Sequence, residues 1–184
     1  MSEPVRRIPM TIAEYRLLPD DGRRWELVEG DFLVTPAPSP RHQKVSRRLQ
    51  YDLMTQLERT GLAEVIDAPV DVVFDELNVV EPDLVIVSSA RASIITDRAV
   101  EGAPEVLVEI LSPSTADRDR HLKRRLYARF GVREYWIVDP RLGFIEAYRL
   151  GQDGYDLRAR YDRASTLTCP EFPDLRIELG PIFA

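Results

Sequence analysis

Residues 105–139 read EVLVEILSPSTADRDRHLKRRLYARFGVREYWIVD, and their pattern predicts a strand, a helix and a second strand. Residues 105–111 form an apolar run of strand length with Glu109 inside it. Residues that break strands and cap helices follow, so a helix is predicted over 116–130, ending before a glycine. Residues 135–138 form the next apolar strand. A strand–helix–strand unit of this length usually places both strands in one sheet.

The predicted helix turns charged groups toward that sheet. At about 100° per residue, its apolar side chains form one stripe: Leu122, Leu126 and Phe130, with Tyr127 at the margin. Lys123 and Asp119 project into the same arc. Three arginines are predicted to point away from it: Arg118, Arg124 and Arg125. Because burying a lone charge is costly, the inward charges need a partner, a metal or a catalytic role, and Glu109 lies in the strand that they face.

Length and composition predict a single domain over residues 1–184. The hydrophobic content of 44% and the charged content of 30% are typical of globular proteins. The chain has no apolar run of transmembrane length, and its first ten residues, MSEPVRRIPM, contain no apolar signal region. We therefore expect a cytoplasmic protein without a membrane partner.

The rarer residue types and the net charge exclude several classes of site. Cys169 is the only cysteine, which excludes an internal disulfide and a cysteine-based zinc cluster. Two histidines, His42 and His121, are too few for a histidine-rich metal site. The net charge of −6 means that the surface as a whole does not attract nucleic acid, although a local basic patch still can.

The remaining elements are predicted from the same signals. Residues 25–28 and 32–35 flank a Glu-Gly-Asp turn and form a hairpin. Ser39 caps a long helix that runs to about residue 59. Its apolar stripe includes His42 and four aliphatic residues: Val45, Leu49, Leu53 and Leu57. Further strands are predicted over six ranges: 65–66, 70–74, 84–87, 144–150, 155–161 and 175–179.

Three charged groups carry the candidate chemistry. Asp83 begins one strand, Glu109 lies within another, and Lys123 points inward from the following helix. Two converging carboxylates bind a hard divalent cation such as Mg²⁺, which suits hydrolysis of a phosphodiester. On these residues alone, Asp83 is better explained as a cap of the turn after a proline. For Glu109 and Lys123, a purely structural salt bridge is the less favoured interpretation, because Asp119 adds another inward carboxylate.

Five segments in this order resemble the Uma family of putative restriction endonucleases, a branch of the PD-(D/E)XK nuclease superfamily. They are ELVEGDFLV at 26–34, SPRHQKVS at 39–46, EPDLVIV at 81–87, VEILSPST at 108–115 and DRHLKRRLYARFGVREYWIVDP at 119–140. The resemblance covers residues 11–161. It implies an α/β (α+β) fold with a restriction-endonuclease-like core, in which helices flank a mixed β-sheet. An N-terminal hairpin and C-terminal antiparallel strands complete the implied fold.

The chain departs from the superfamily motif at the lysine. The motif places a lysine two residues after the acidic residue, where this chain has Leu111. The resemblance implies that Lys123 on the next helix replaces it, in agreement with the inward projection of Lys123. It further implies that Asp83 and Glu109 ligate Mg²⁺ or Mn²⁺, with the carbonyl of Ile110 as a third ligand.

Two further residues resemble family positions, and their roles stay open at this stage. Glu26 lies on the first hairpin and is either a ligand of a second metal or water or a structural residue. His42 contacts phosphate, carries a proton or simply packs in the core of the long helix. Asp119 is better explained as a partner of Lys123 than as a metal ligand.

The resemblance implies a Mg-dependent endonuclease that hydrolyses DNA through a Mg-activated water. A basic strip is predicted to contact phosphates, with Arg41, Lys44, Arg120 and Arg124 as its candidate residues. Cutting both strands of a duplex needs two sites, so a homodimer is expected. One alternative is a catalytically silent nuclease fold used for binding or assembly, and another is a phosphodiesterase for small nucleotides.

Overall fold

The computed structural model of the protein describes residues 8–19 and 21–184. Residues 1–7, which belong to the N-terminal segment considered above, lie outside the described residues. The helices are α1 (Ile12–Tyr15), α2 (Pro40–Leu53), α3 (Ala116–Arg118), α4 (Arg124–Arg129) and α5 (Leu179–Phe183). A π-helical turn at Met54–Glu58 extends α2, another at Asp119–Lys123 joins α3 to α4, and Ser89–Ile94 is 3₁₀-helical. No helix in the described ranges is long and apolar enough to cross a membrane.

Thirteen strands are assigned within the described ranges. They are β1 (Arg24–Val28), β2 (Asp31–Thr35), β3 (Ala63–Asp67), β4 (Val72–Asp75), β5 (Asn78–Val80), β6 (Leu84–Ser88), β7 (Val100–Glu101), β8 (Val106–Ile110), β9 (Glu134–Asp139), β10 (Phe144–Gly151), β11 (Gly154–Asp162), β12 (Thr166–Cys169) and β13 (Phe172–Glu178).

The strands form two main sheets and one small one. The central six-stranded sheet has the order β11-β10-β9-β8-β6-β3, and it is mixed because β8 and β9 are parallel while its other neighbours are antiparallel. A five-stranded sheet has the order β2-β1-β5-β4-β7, and β12 pairs with β13. Mixed sheets flanked by helices confirm the predicted fold class. The hairpin is part of the five-stranded sheet, because β1 pairs with β5. Strand β5 is too short to show periodicity in the sequence.

The strand–helix–strand unit has the predicted form. Strand β8 pairs with β9 in parallel, with Glu109 opposite Ile137, and the helical segment 116–129 connects the two strands. Every residue of β8 is buried. Alternate side chains of β8 therefore enter two different cores, and Glu109 shares a face with Leu107. That face also packs against Leu126 and Tyr127 of α4, which directs the Glu109 carboxylate toward the helix.

Helix α2 covers the opposite face of the central sheet. Ser39 caps it as predicted, because its side-chain oxygen accepts a hydrogen bond from the His42 backbone N–H, and Pro40 occupies the first helical position. The predicted stripe is buried: Val45, Leu49, Leu53 and Leu57. Its packing against β3, β6 and β8 fixes the start of the helix, and with it His42, at the end of the sheet.

Replacement of Leu49 tests the packing of α2. We expect Leu49→Ala to lower the free energy of unfolding by about 2–5 kcal/mol, because it empties a fully buried position. Tyr51→Ala on the same helix is the matched control. The Tyr51 side chain is 68% exposed, so its loss costs less than about 0.5 kcal/mol. Urea denaturation measures both values, and equal losses would contradict this packing.

Candidate active site

The pairing of β6 with β8 brings Asp83 beside Glu109. The Asp83 backbone N–H donates to the Val108 carbonyl at 3.1 Å, so the chain enters β6 alongside β8. The Asp83 carboxylate then accepts a hydrogen bond from the Ile110 backbone N–H at 2.8 Å. Asp83, Glu109 and Ile110 all line one cavity of about 20 Å³, which is room for a single small occupant such as a water. The structure therefore brings the three predicted ligand residues together.

Lys123 reaches the same cavity from the π-helical turn. Its ammonium group lies 2.8 Å from a Glu109 carboxylate oxygen and 2.7 Å from a Glu26 carboxylate oxygen. The Asp119 carboxylate lies 3.9 Å away on the same helical segment. All four side chains are buried. A π-helical turn places residues four apart on nearly the same line, and this geometry keeps both Asp119 and Lys123 on the inner face.

Glu26 is held on both sides of its carboxylate. The oxygen that contacts Lys123 also accepts the Glu81 backbone N–H at 3.0 Å. The second oxygen accepts a long hydrogen bond from Thr35 at 3.4 Å and lies 3.8 Å from the Arg118 guanidinium. Glu26 comes from β1 of the second sheet, so this carboxylate connects that sheet to the helix of the central one.

His42 contacts the other carboxylate of the site. Its Nε2 atom lies 3.1 Å from Asp83 Oδ2, the oxygen that also accepts the Ile110 N–H. The imidazole is buried, and its Nδ1 atom has no hydrogen-bond partner within the described residues. His42 is therefore more than a core side chain, because it touches a candidate metal ligand.

Two residues of the site, Arg24 and Tyr127, were not assigned to it from the sequence. Arg24 lies 3.5 Å from Asp83 and also binds Glu81, a long-range contact that leaves no local sequence signal. The Tyr127 hydroxyl donates to Glu109 at 2.7 Å. The sequence does carry a signal for Tyr127, because this residue lies four positions after Lys123 at the margin of the apolar stripe.

The predicted outward orientation of Arg118 is wrong. Its guanidinium donates to Thr35 at 2.9 Å and lines the cavity. Arg118 lies at the end of the short helix α3, where a long side chain reaches across to β2, and the π-helical turn that follows breaks the 100° spacing used for the prediction.

Comparison with known proteins identifies the family. The sequence matches Uma2, described as "Putative restriction endonuclease", over residues 12–180. The chain belongs to the Uma2 family. A solved structure of a putative nuclease of the DUF820 family from Anabaena variabilis is similar to it in fold, with a TM-score of 0.79 and 19% sequence identity. The similarity covers 95% of this chain and 98% of that one. No curated protein matches the sequence significantly.

The Uma2 site has more acidic side chains than its basic side chains can neutralise. Burial raises the pKa of Glu109 to about 8; Lys123 opposes this shift, and the neighbouring carboxylates add to it. Burial likewise raises the pKa of Asp119. Burial alone would lower the pKa of Lys123, but Glu109, Glu26 and Asp119 outweigh it and raise that pKa, so the lysine is charged.

Asp83 and Glu26 remain the ionised members of the set. Burial opposes ionisation in both cases. For Asp83, the interaction with His42 outweighs the effect of burial. For Glu26, the interaction with Lys123 outweighs it. The pKa values of both carboxyl groups are therefore lowered. The site therefore combines two carboxyl groups that favour the ionised form, Asp83 and Glu26, with two that are costly to ionise without an additional positive charge, Glu109 and Asp119.

This donor set fits a hard divalent cation. Within residues 8–19 and 21–184, no group of three or more Asp, Glu, His or Cys side chains is arranged to hold a metal ion. Mg²⁺, however, is usually bound by one or two carboxylates, with waters completing its shell. Asp83, Glu109 and the Ile110 carbonyl supply such a set. The buried Asp119 Oδ1 atom also lacks a hydrogen-bond partner among the described residues, as expected where a cation or water is still to be accommodated.

The candidate phosphate-binding residues fall into two groups. Arg41 and Lys44 are exposed on the first turns of α2, next to the cavity-lining His42. Arg120 pairs with Glu146 of β10, and the Arg124 guanidinium lies 5.1 Å from the centre of the Tyr148 ring. Arg120 and Arg124 are therefore engaged with the protein itself.

Removal of the Lys123 charge tests the electrostatic account of the site. Lys123→Met leaves Glu26 and Glu109 buried without their common cation, so we expect the free energy of unfolding to fall by about 3–5 kcal/mol. Arg125→Met is the matched control on the exposed face of the same helical segment and costs less than about 0.5 kcal/mol. Denaturant unfolding at neutral pH measures both. A Lys123→Met protein as stable as wild type would show that the buried charges do not depend on this lysine.

Proposed function

We propose that this Uma2 protein is a metal-dependent endonuclease that hydrolyses phosphodiester bonds in DNA. The observation that carries the proposal is the convergence of Asp83, Glu109 and Lys123 on one buried cavity. A simple salt bridge accounts for Glu109 and Lys123 but gives no reason for a further buried carboxylate, Asp83, at the same place. Membership of the Uma2 family and the nuclease-like fold support the same reaction class.

Asp83, Glu109 and the Ile110 carbonyl are proposed to hold the metal, Mg²⁺ or Mn²⁺. Bound there, the metal supplies positive charge that polarises a phosphoryl oxygen and makes a water more acidic. Lys123 contacts Oε1 of Glu109, so the second oxygen, Oε2, is the proposed ligand atom, and the ion pair with Lys123 can persist when the metal binds. The Tyr127 hydroxyl, which also donates to Oε1, helps to fix the orientation of the Glu109 side chain.

Lys123 is proposed to stabilise the charge that develops on the phosphoryl group or to orient the attacking water. Its ammonium group can turn from Glu109 toward substrate while Glu26 continues to hold it at 2.7 Å. Glu26 is therefore proposed as a positioning residue for Lys123 rather than as a ligand of a second metal, because both of its oxygens already have protein partners. Preorganised charge of this kind is often a large contribution to catalysis.

His42 is proposed to orient Asp83. A ligand carboxylate that accepts hydrogen bonds from the Ile110 N–H and from His42 keeps a fixed direction when the metal binds. Arg41 and Lys44, which are exposed on the same turns of α2, are proposed to contact the phosphates that flank the reacting one. Cutting both strands of a duplex needs two such sites, and a homodimer provides them.

A catalytically silent binding or assembly module is the second candidate. Leu111 occupies the position of the usual motif lysine, and the acidic net charge does not favour DNA. In this case the Glu109–Lys123 pair serves folding alone, and the protein has no use for a metal. Metal binding therefore separates the two candidates.

Cleavage of supercoiled plasmid tests the proposal directly. With Mg²⁺ or Mn²⁺, we expect nicking that EDTA abolishes, and we expect Asp83→Asn, Glu109→Gln and Lys123→Met to reduce the rate by about 10²-fold or more. Asp117→Asn is the matched control, because its side chain is 98% exposed on the same helical segment. Equal nicking by wild type and the three site variants would assign the activity to a contaminant and remove the support for this site.

Metal affinity tests the proposed role of His42. We expect His42→Ala to weaken Mn²⁺ binding by about 10–100-fold, because Asp83 loses the partner that orients it. His121→Ala is the control, since that imidazole is exposed. Isothermal titration calorimetry measures the affinity independently of any cleavage. Unchanged affinity in His42→Ala would exclude the orienting role, and no binding by wild type would favour the silent module.

A further inference from the structure

A second cavity adjoins the candidate active site, and we call it the side cleft. It has a volume of about 180 Å³. The residues that line it but not the catalytic cavity are Gln43, Ser46, Asp67, Ala68 and Pro69. It shares Arg24, Pro38, His42 and Asp83 with the catalytic cavity. The two cavities are therefore neighbours that meet at a proposed metal ligand.

The side cleft lies between two elements that the fold holds in place. One wall is the first two turns of α2, where Gln43 and Ser46 lie on the side that also carries His42. The other wall is the end of β3 and the chain after it, at residues 67–69. Arg24 crosses the base of the cleft, bound to Glu81 and close to Asp83. Because Asp83 lines both cavities, a nucleotide whose phosphate lies against Asp83 can extend into the side cleft.

Size and chemistry restrict what the side cleft can hold. A volume of about 180 Å³ is many times the roughly 10–15 Å³ that one water needs, yet it is below the roughly 300–1,000 Å³ of pockets for drug-sized ligands. Pro38, Ala68 and Pro69 offer apolar surface to a flat ring. Gln43, Ser46 and Asp67 offer hydrogen-bonding groups to the edge of such a ring. These properties suit a single nucleobase with its sugar.

We propose that the side cleft binds the nucleoside next to the phosphate that is cleaved, and that Asp67 and Gln43 select its base. This inference rests on the proposed nuclease function. A base that is paired and stacked in a duplex cannot enter a cleft between a helix and a loop, so the nucleotide enters unpaired or extruded. The substrate class is therefore DNA with at least one accessible unpaired nucleotide beside the cleavage position.

The side-chain chemistry sets the base preference. The Asp67 carboxylate only accepts hydrogen bonds, so it favours a base that offers an exocyclic amino group, such as cytosine or adenine. Unpaired thymine offers only its ring N3–H, which lies between two carbonyl oxygens that repel the carboxylate. The Gln43 amide can both donate and accept hydrogen bonds, so it can bind any of these bases and does not reverse the preference set by Asp67.

Binding of mononucleotides tests the side cleft without relying on cleavage. The probes are dCMP, dAMP and dTMP, titrated into the metal-free full-length protein and followed by NMR. We expect the backbone amides of Gln43, Ser46 and Asp67 to shift, with dCMP and dAMP binding about 5-fold or more tighter than dTMP. Asp67→Ala should remove this preference, and Glu64→Ala, an exposed acidic residue on the same strand, should retain it.

Several results would overturn the inference. These are the absence of shifts at the cleft amides, equal binding of the three nucleotides, and an unchanged preference in Asp67→Ala. Oligonucleotide cleavage then separates the two proposals. If the cleft binds nucleotides selectively but no DNA is cut, the nuclease proposal fails and only the base selectivity of the cleft stands. If paired duplex is cut as fast as the same strand unpaired, the nuclease proposal stands and the cleft inference fails.

Discussion

The buried ammonium group of Lys123 connects the main parts of the structure. It binds Glu109 of the central sheet at 2.8 Å and Glu26 of the second sheet at 2.7 Å, and its own helix packs between those two sheets. A buried charge of this kind requires partners on every side, since removal of one leaves the others unpaired in an apolar environment. The positions of the hairpin, the helix and strand β8 are therefore coupled through a single side chain.

That coupling also explains why the site is suited to chemistry. Negative charge is concentrated around Lys123 beyond what the lysine neutralises, and burial makes Glu109 and Asp119 costly to ionise. A fold under selection for stability alone has little reason to retain so many buried carboxylates, because apolar side chains of similar volume often serve as well or better. In the proposed function, a divalent cation would relieve the repulsion among the carboxylates, and Asp83, which His42 and Ile110 hold in a fixed direction, would be one of its ligands.

The sequence revealed the parts of the site that depend on local periodicity. Helical spacing directed Lys123 and Asp119 inward, and the apolar run around Glu109 placed that carboxylate in a buried strand; the structure has both arrangements. Contacts between elements that are distant in the chain could not be predicted from the sequence. Arg24 meets residues 57 and 59 positions away, and β5 is too short to show a pattern, so the second sheet was missed. Arg118 was misplaced because a π-helical turn has no recognisable signature in this sequence and alters the angular spacing.

The most direct test of the account is the crystal structure of the protein soaked with Mn²⁺, with anomalous scattering used to locate the metal. The account predicts one strong anomalous peak at coordinating distance from Asp83 and Glu109. We further expect Oε2 of Glu109 to face the metal, while Lys123 still contacts Glu26. The absence of a peak between the two carboxylates would contradict the proposed metal site and leave the cluster as a structural salt-bridge network.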